Sequence, residues 1–351
     1  MGDPLLIYGA TGYTGRLIVD AAKARGLRPL LAGRSESKLA ALAERTGLEY
    51  RVVRLTDGAA LDRVLNEVSV VLHAAGPFSE TARPMVDACL RTRTHYLDIT
   101  GEVAVIDGLS HRDGDGRRRG VMIMPGVGFD VVPSDCLGAH VARRLPNAQR
   151  LIFGLRGLQF VTRASAKTLI EHAIIGVNIR RDGMITSVVP GASQRTFDYG
   201  AGPALSFAVS WGDVASAYYT TGIPNIEVYF ASLPSLQAML TATRYFGRLL
   251  GSGPLQAWFK AHADMLPEGP TPEERAGAQI VIVAEAEDRH GRRASARMVT
   301  PEAYACTATL APAIAHRVLQ GDFEPGFQTP GRVYGPDFAL SFPGISRVDI
   351  G

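Results

Sequence analysis

The feature that most constrains this chain is a glycine-rich turn near its amino end. Gly9-Ala-Thr-Gly12-Tyr-Thr-Gly15 follows the apolar run Leu5–Tyr8 and precedes an amphipathic segment. Between a strand and a helix, such a turn lets backbone amides and the helix dipole face a pyrophosphate, because glycine has no Cβ to hold the ligand away. An ordinary tight turn is the alternative, but the flanking strand and helix favour a dinucleotide site. Its predicted residues are Gly9, Thr11, Gly12, Tyr13, Thr14 and Gly15.

Residues 1–130 alternate short apolar runs with amphipathic segments, which is typical of parallel strands joined by helices. The predicted strands are Leu5–Tyr8, Pro29–Ala32, Tyr50–Leu55, Val68–Ala74, Thr94–Asp98 and Val121–Met124. The predicted helices are Tyr13–Ala24, Glu36–Arg45, Ala59–Glu67 after a cap at Asp57, and Ala82–Leu90. The polar, glycine-rich segment His111–Gly120 is predicted to be a surface loop. The fold class is therefore α/β, with an N-terminal Rossmann-type doubly wound parallel sheet.

Beyond about residue 147 the pattern changes to longer alternating runs. Gln279–Glu285 and Arg293–Val299, joined across His290-Gly291, indicate an antiparallel hairpin. We predict a second, α+β domain built on a mainly antiparallel sheet, and a helix at Tyr304–Leu319 that returns to the first domain. The predicted domains are 1–130, which contains the dinucleotide site, 131–300, and 301–351 for the C-terminal helix and tail.

The end of the second predicted strand indicates which nucleotide binds. An NAD site would have an acidic residue there to hold the ribose 2′-hydroxyl, whereas this chain has Gly33-Arg34-Ser35. Arg34 can pair with a 2′-phosphate, Ser35 can donate to it, and Lys38 adds charge one turn later. NADP(H) is therefore the expected cofactor; the alternative is that Glu36 takes the ribose. Ala75, Gly76 and Pro77 end the fourth strand, where small residues allow a cofactor to lie across the sheet edge.

Composition excludes several other classes of protein. Lys plus Arg number 37 against 34 Asp plus Glu, with no long basic run, so nucleic-acid binding is not indicated. Cys89, Cys136 and Cys306 lie far apart, which argues against a metal or disulfide framework. No signal peptide and no apolar stretch of roughly 18 residues is visible. We expect a cytoplasmic protein.

These segments together resemble the saccharopine dehydrogenase-like oxidoreductases, especially the branch that includes trans-acting enoyl reductases. The tracts that carry the resemblance are Gly9–Gly15, Ala32–Ser35, Ala75–Phe78, His95–Glu102, Gly126–Asp135, Trp211–Asp213, Thr221–Glu227 and Gln328–Pro330. The resemblance implies a Rossmann domain, and a second domain that covers the nicotinamide and often mediates dimerisation. One departure, Ala164–Thr168 where relatives often have Gly-Thr, makes substrate contacts of that loop unsafe to transfer.

Candidate catalytic residues lie at the carboxyl ends of the fifth and sixth strands, where side chains can face a nicotinamide ring. We name Tyr96, Asp98 and Asp130. Tyr96 and Asp98 alternate along one strand and so share a face, in the cleft or in the core. For Asp130 and Asp135, capping of the helix after Pro133 is the alternative. Other candidates are Thr100, Glu102, Ser134, Tyr218, Tyr219, His95 and His172. No tyrosine has a lysine four residues later, which excludes the short-chain dehydrogenase mechanism.

The segment Val228–Phe259 is unusually apolar. As a helix it would be a core element, a lid, a dimer contact or, through 235–250, a peripheral membrane or lipid contact. The expected function is NADPH-dependent reduction of a C=C bond (enoyl, acyl or polyketide-like) or a C=N bond in a small or lipophilic metabolite between the two domains, by a homodimer. A saccharopine-type amino-acid or imine dehydrogenase is one alternative, and a non-catalytic dinucleotide-binding or lipid-associated protein is another.

Overall fold

A computed structural model describes residues 5–158, 176–232 and 268–350. It divides the chain into two compact units, Met1–Val132 with Tyr304–Gly335, and Pro133–Ala303 with Pro336–Gly351. The loop 164–168, His172 and the segment 235–250 lie outside the described residues.

The first unit is built on a parallel sheet of seven strands within the described residues. These are β1 (Leu5–Tyr8), β2 (Leu30–Gly33), β3 (Tyr50–Val52), β4 (Val70–His73), β5 (His95–Asp98), β6 (Met122–Met124) and β15 (Gly326–Phe327). Their order across the sheet is β15-β6-β5-β4-β1-β2-β3. The chain therefore reverses its winding direction between β1 and β4, which is the topological switch point of a doubly wound sheet. The predicted fold class is confirmed.

Helices connect these strands. They are α1 (Tyr13–Ala24), α2 (Glu36–Thr46), α3 (Gly58–Leu65), α4 (Phe78–Thr92), α5 (Val103–Ser110), α6 (Asp113–Arg119), α10 (Ala303–Leu319) and α11 (Pro330–Tyr334), while α7 (Val132–Arg144) begins at the unit boundary. Helix α1 buries one face, with Ile18, Val19 and Ala22, and the strands β1, β2 and β4 are buried along their whole length. Burial on both sides explains why these three strands are mainly apolar runs.

One local prediction was wrong. Residues 111–120, predicted as a loop, contain helix α6. Acidic residues in its first turn and three arginines in its last complement the helix dipole, and Arg117 pairs with Asp113 at 2.9 Å. Gly120 ends the helix in the left-handed conformation. The Arg117–Asp113 pair and the charges at the two helix ends offset the low helix propensity of the two internal glycines.

The second unit is a mainly antiparallel sheet with helices. Its described strands are β7 (Ala148–Arg156), β8 (Val177–Arg181), β9 (Met184–Val188), β10 (Gln194–Asp198), β11 (Pro203–Ala208), β12 (Asn225–Ala231), β13 (Gln279–Asp288), β14 (Arg293–Pro301) and β16 (Ser346–Asp349). Its described helical elements are α7, which enters this unit at Pro133, α8 (Asp213–Thr221), α9 (Pro272–Gly277) and a 3-10 turn at Phe338–Ser341. The main path runs β10-β11-β12-β7-β13-β14-β16, and among the described strands of this unit only β7 and β12 pair in parallel. The β13–β14 hairpin forms as predicted.

The C-terminal segment, residues 301–351, is divided between the two units. The predicted helix at Tyr304–Leu319 forms and belongs to the first unit, as does the chain to Gly335. The prediction assigns all of 301–351 to the first unit, whereas residues from Pro336 onward belong to the second unit. Strand β16 pairs with the edge strand β14, because an unpaired edge there offers backbone hydrogen bonds.

Candidate cofactor and active site

The phosphate turn lies at the switch point of the first sheet. Gly9 has φ of 86°, and a Cβ at this position would lie 2.8 Å from the backbone of Ala74 and Ala75. The Gly9 amide donates to the Ala32 carbonyl at 2.9 Å. The turn is therefore fitted between the ends of β2 and β4, and only glycine satisfies both the left-handed backbone and the close approach.

The other two glycines leave the amino end of α1 accessible. A Cβ at Gly15 would meet the Gly9 carbonyl oxygen at 2.2 Å, so the helix can pack against the turn only without a side chain. Gly12 is the exposed N-cap residue of α1, and it has no side chain that could accept hydrogen bonds from the first-turn amides. The first turn of α1 contains no acidic residue. Thr11, Tyr13 and Thr14 are half-buried around it. A helix start of this kind attracts an anion.

The predicted nucleotide-selecting residues follow β2. Gly33 is its buried last residue, Arg34 and Lys38 are exposed, and Ser35 occupies the N-cap of α2 without a side-chain capping bond. Within the described chain, the Arg34 guanidinium takes part in no ion pair or hydrogen bond. Arg34 and the Ser35 hydroxyl are thus available to a ligand at the same strand end.

The end of β4 supplies a second wall. Ala75 and Pro77 are half-buried and Gly76 is exposed. The Thr81 hydroxyl donates to the carbonyls of Ala75 at 2.7 Å and Pro77 at 2.9 Å, which fixes this turn. Small side chains here leave room beside the phosphate turn.

Sequence reasoning missed the role of Glu102. Its buried carboxylate accepts from the amides of Phe78 at 2.8 Å and Ser79 at 3.0 Å, the first residues of α4. This helix start is therefore occupied by a protein carboxylate, whereas that of α1 is not. The cap is separated from its helix by 24 residues, so no local pattern in the sequence indicates it.

Tyr96 and Asp98 come together as predicted, and their shared face is the interior. The Tyr96 hydroxyl donates to Asp98 Oδ2 at 2.6 Å, and the amides of Thr100 and Gly126 donate to Asp98 Oδ1 at 2.9 and 3.0 Å. Both residues are fully buried. Burial raises the pKa of Asp98 to about 6, although its hydrogen bonds act in the opposite direction. Asp98 thereby ties β5 to the loop after β6.

Asp130 lies in the loop after β6 and, unlike Asp98, has a carboxylate oxygen without a hydrogen-bond partner within the described residues. Its Oδ1 is buried and has no hydrogen-bond partner within the described residues, so this atom does not cap α7. The carboxyl group packs against Gly101, where a Cβ would lie 2.4 Å from Oδ2. Burial raises the pKa of Asp130 to about 8. At neutral pH the group is mostly protonated and can donate a proton.

Three of the other candidates, His95, Asp135 and Tyr218, have structural partners. His95 Nδ1 accepts from the Met122 amide at 3.0 Å. In the second unit, Thr220 donates to Asp135 at 2.6 Å, and Arg180 stacks over the Tyr218 ring at 4.4 Å. These contacts give His95, Asp135 and Tyr218 structural roles, so their positions do not require a role in the reaction.

These features fit a dinucleotide with a 2′-phosphate. A Cβ at Gly9 or Gly15 would clash with the backbone of the turn, and the first turn of α1 contains no acidic residue that would compete with a phosphate. At the end of the neighbouring strand β2, Arg34 makes no ion pair within the described chain. In the described ranges, no three His, Cys, Asp or Glu side chains are grouped to hold a metal. Nor does any described helix combine the length and the hydropathy needed to cross a bilayer.

Comparisons with known proteins agree with this geometry. Residues 5–122 match the family model of the saccharopine dehydrogenase NADP binding domain. The chain is 27% identical over 163 residues to a saccharopine dehydrogenase-like oxidoreductase of Bos taurus, and 32% identical over 151 residues to a trans-acting enoyl reductase of Mycobacterium ulcerans (strain Agy99). These alignments cover 41% and 40% of this chain but 38% and 35% of the relatives, so the chain matches well under half of their length.

A solved structure extends the likeness in fold to the whole chain. Apo saccharopine dehydrogenase (L-Glu forming) from Saccharomyces cerevisiae superposes with a TM-score of 0.66 over 100% of both chains, at 13% identity. The resemblance predicted from sequence is therefore confirmed, and a dinucleotide cofactor is implied by the matched domain.

Proposed function

We propose that this protein, whose residues 5–122 match the family model of the saccharopine dehydrogenase NADP binding domain, is an NADPH-dependent oxidoreductase that reduces the C=C bond of an enoyl or related acyl substrate. The observation that carries the proposal is the open start of α1 beside an unengaged Arg34. The trans-acting enoyl reductase among the relatives supports the acceptor. Reduction of a C=N bond, as in a saccharopine-type dehydrogenase, is the alternative.

The chain's own residues have distinct tasks in this proposal. The amides at the start of α1 hold the pyrophosphate, and Arg34 with Ser35 holds the 2′-phosphate. When bound, NADPH would supply the hydride for the β-carbon of the enoyl group. The saturated product also needs a proton at the α-carbon, and a side chain of the protein must deliver it.

Asp130 is the proposed source of that proton. Its side chain is half-buried with Oδ1 buried, and its pKa of about 8 keeps the carboxyl group protonated at neutral pH. Oδ1 has no competing partner in the described chain. In the alternative reaction the same group would donate to the imine nitrogen. Asp98 is already bonded through both of its carboxylate oxygens.

The acceptor is tested by NADPH oxidation with purified protein. One panel contains enoyl thioesters of increasing chain length, and the other contains pairs of an oxo acid and an amine. We expect turnover with the enoyl thioesters. Turnover with the second panel alone would replace the enoyl function by the imine function, and binding of NADPH without turnover on either would favour the non-catalytic alternative.

Asp130→Asn tests the acid. Asparagine keeps the shape but removes the transferable proton, so we expect kcat to fall by about 10²- to 10⁴-fold while the Kd for NADPH changes little. In the wild-type protein kcat should decrease as the pH rises through about 8, because the carboxyl loses its proton there. The measurement is the pH profile of kcat for both proteins. A variant with wild-type kcat would remove Asp130 from the mechanism.

A further inference from the structure

The loop Gly126–Val131 that carries Asp130 is held at its near end by β5. The Gly126 amide donates to Asp98 Oδ1 at 3.0 Å, and the Val127 amide donates to the Asp98 carbonyl at 2.7 Å. The Val131 amide returns to the Gly126 carbonyl at 2.9 Å. The first half of the loop is therefore fixed to the sheet.

The far end is held by a residue 178 positions away in sequence. The Phe129 amide, directly before Asp130, donates to Thr307 Oγ1 at 2.9 Å. Thr307 is buried on α10. The neighbouring Gly128 permits this approach, since a Cβ there would lie 2.8 Å from Thr307 Cγ2.

We infer that Thr307 is a positioning residue that keeps the Asp130 carboxyl against Gly101, so that α10 completes the active site of the first unit. Asp98, through Gly126, is the second anchor of the same loop. Without the Thr307 hydroxyl the buried Phe129 amide would lose its acceptor, and the loop would have to move to find another. A shift of about 1 Å in a reacting group is enough to cost about 100-fold in rate.

This inference rests on the proposed function, and the experiment separates the two. Thr307→Val removes the acceptor and keeps the shape, while Thr307→Ser keeps the hydroxyl. Thr309→Val is the matched control, because Thr309 lies on the same helix and its hydroxyl donates to the Ala305 carbonyl of that helix. If Thr307→Val does not fold, Thr307→Ala takes its place.

Two readouts are measured on the full chain: kcat and KM with NADPH and an accepted enoyl thioester, and amide exchange of the segment 126–131 by mass spectrometry. For Thr307→Val we expect kcat to fall at least about tenfold, with KM for NADPH unchanged and exchange of this segment at least about tenfold faster. Thr307→Ser and Thr309→Val should resemble the wild type.

Either of two results would overturn the inference: exchange in 126–131 that is unchanged in Thr307→Val, or wild-type kcat in that variant. A wild-type protein that reduces no acceptor contradicts the proposed function instead. In that case amide exchange still decides whether Thr307 anchors the loop.

Discussion

At the scale of single residues, we propose that Arg34 gives the chain a preference for NADP(H). It is an exposed cation at the end of β2, without an ion pair in the described chain, at the position where an NAD site has an acid. A guanidinium pairs with a phosphate in a bidentate way, and such charge-assisted hydrogen bonds are about twice as strong as neutral ones. In this proposal Arg34 contributes most of the nucleotide preference, and Ser35 and Lys38 contribute less.

Arg34→Ala should weaken NADPH binding by about 10- to 100-fold, because hydrogen bonds to charged groups contribute about 1.5–3 kcal/mol. NADH lacks the 2′-phosphate, so its Kd should change by no more than about twofold. Isothermal titration with both nucleotides measures this. Arg83→Ala, which removes an equally exposed cation from α4, is the control and should change neither Kd. Equal losses for both nucleotides in Arg34→Ala would contradict the assignment.

His73 is a second residue with a testable consequence. It is fully buried at the end of β4 among the rings of Tyr8, Phe78 and Tyr96, and neither ring nitrogen has a hydrogen-bond partner in the described structure. Burial lowers its pKa to about 3. Because the unfolded chain binds this proton near pH 6.5 and the folded chain only near pH 3, acidification below about 6.5 favours unfolding.

His73→Leu removes this dependence. We expect the variant to be at least as stable as the wild type at pH 7, because no unpaired imidazole is then buried. Between pH 7 and pH 5 its advantage in free energy of unfolding should grow by about 2 kcal/mol. Urea denaturation at both pH values measures the difference, with His111→Gln as the exposed control. An advantage that does not change with pH would mean that His73 is protonated in the folded protein.

The contrast between Arg34 and Asp98 shows what the sequence could predict about the site. The position of Arg34 follows from the end of a strand, which is a local pattern. Strand alternation predicts that Tyr96 and Asp98 share a face. It does not predict that this face is interior, where Asp98 accepts from the Gly126 amide of the loop after β6. Likewise, the environment of Asp130 depends on Gly101 and on Thr307, neither of which is near it in sequence.

At the scale of elements, α4 shows how a distant side chain sets a helix boundary. The sequence predicts a start at Ala82, whereas the helix begins at Phe78. The extra turn is possible because Glu102 accepts from the first two amides of the helix. Helix α6 is the opposite case: its acidic start and basic end are visible in the sequence, and they outweigh the two internal glycines.

Glu102→Ala should lower the free energy of unfolding by about 1–3 kcal/mol, because two amides of α4 lose a buried, charged acceptor. Glu80→Ala is the matched control: Glu80 lies exposed in the first turn of the same helix, and its loss should cost no more than about 0.5 kcal/mol. Chemical denaturation of both variants measures the costs. Equal stability of the two variants would show that Glu102 does not cap the helix.

At the scale of the whole molecule, the alternation of strands and helices predicts the parallel sheet, and the long alternating runs predict the antiparallel one. The sequence does not indicate that β16 joins the second unit, because that pairing depends on the backbone edge of β14. Two features of the candidate site, the glycine-rich turn at Gly9 and the small residues that end β4, meet because the strand order reverses between β1 and β4. The predicted homodimer and the lipid contact through 235–250 stay predictions.

The central claim is that this chain binds an NADP-type dinucleotide at the Gly9–Gly15 turn. Calorimetric titration of the wild-type protein with NADPH and with NADH tests it most directly. We predict one NADPH per chain, bound at least about tenfold more tightly than NADH, because only NADPH carries the phosphate that Arg34 can hold. Absence of binding heat with either nucleotide, at several temperatures, would contradict the account.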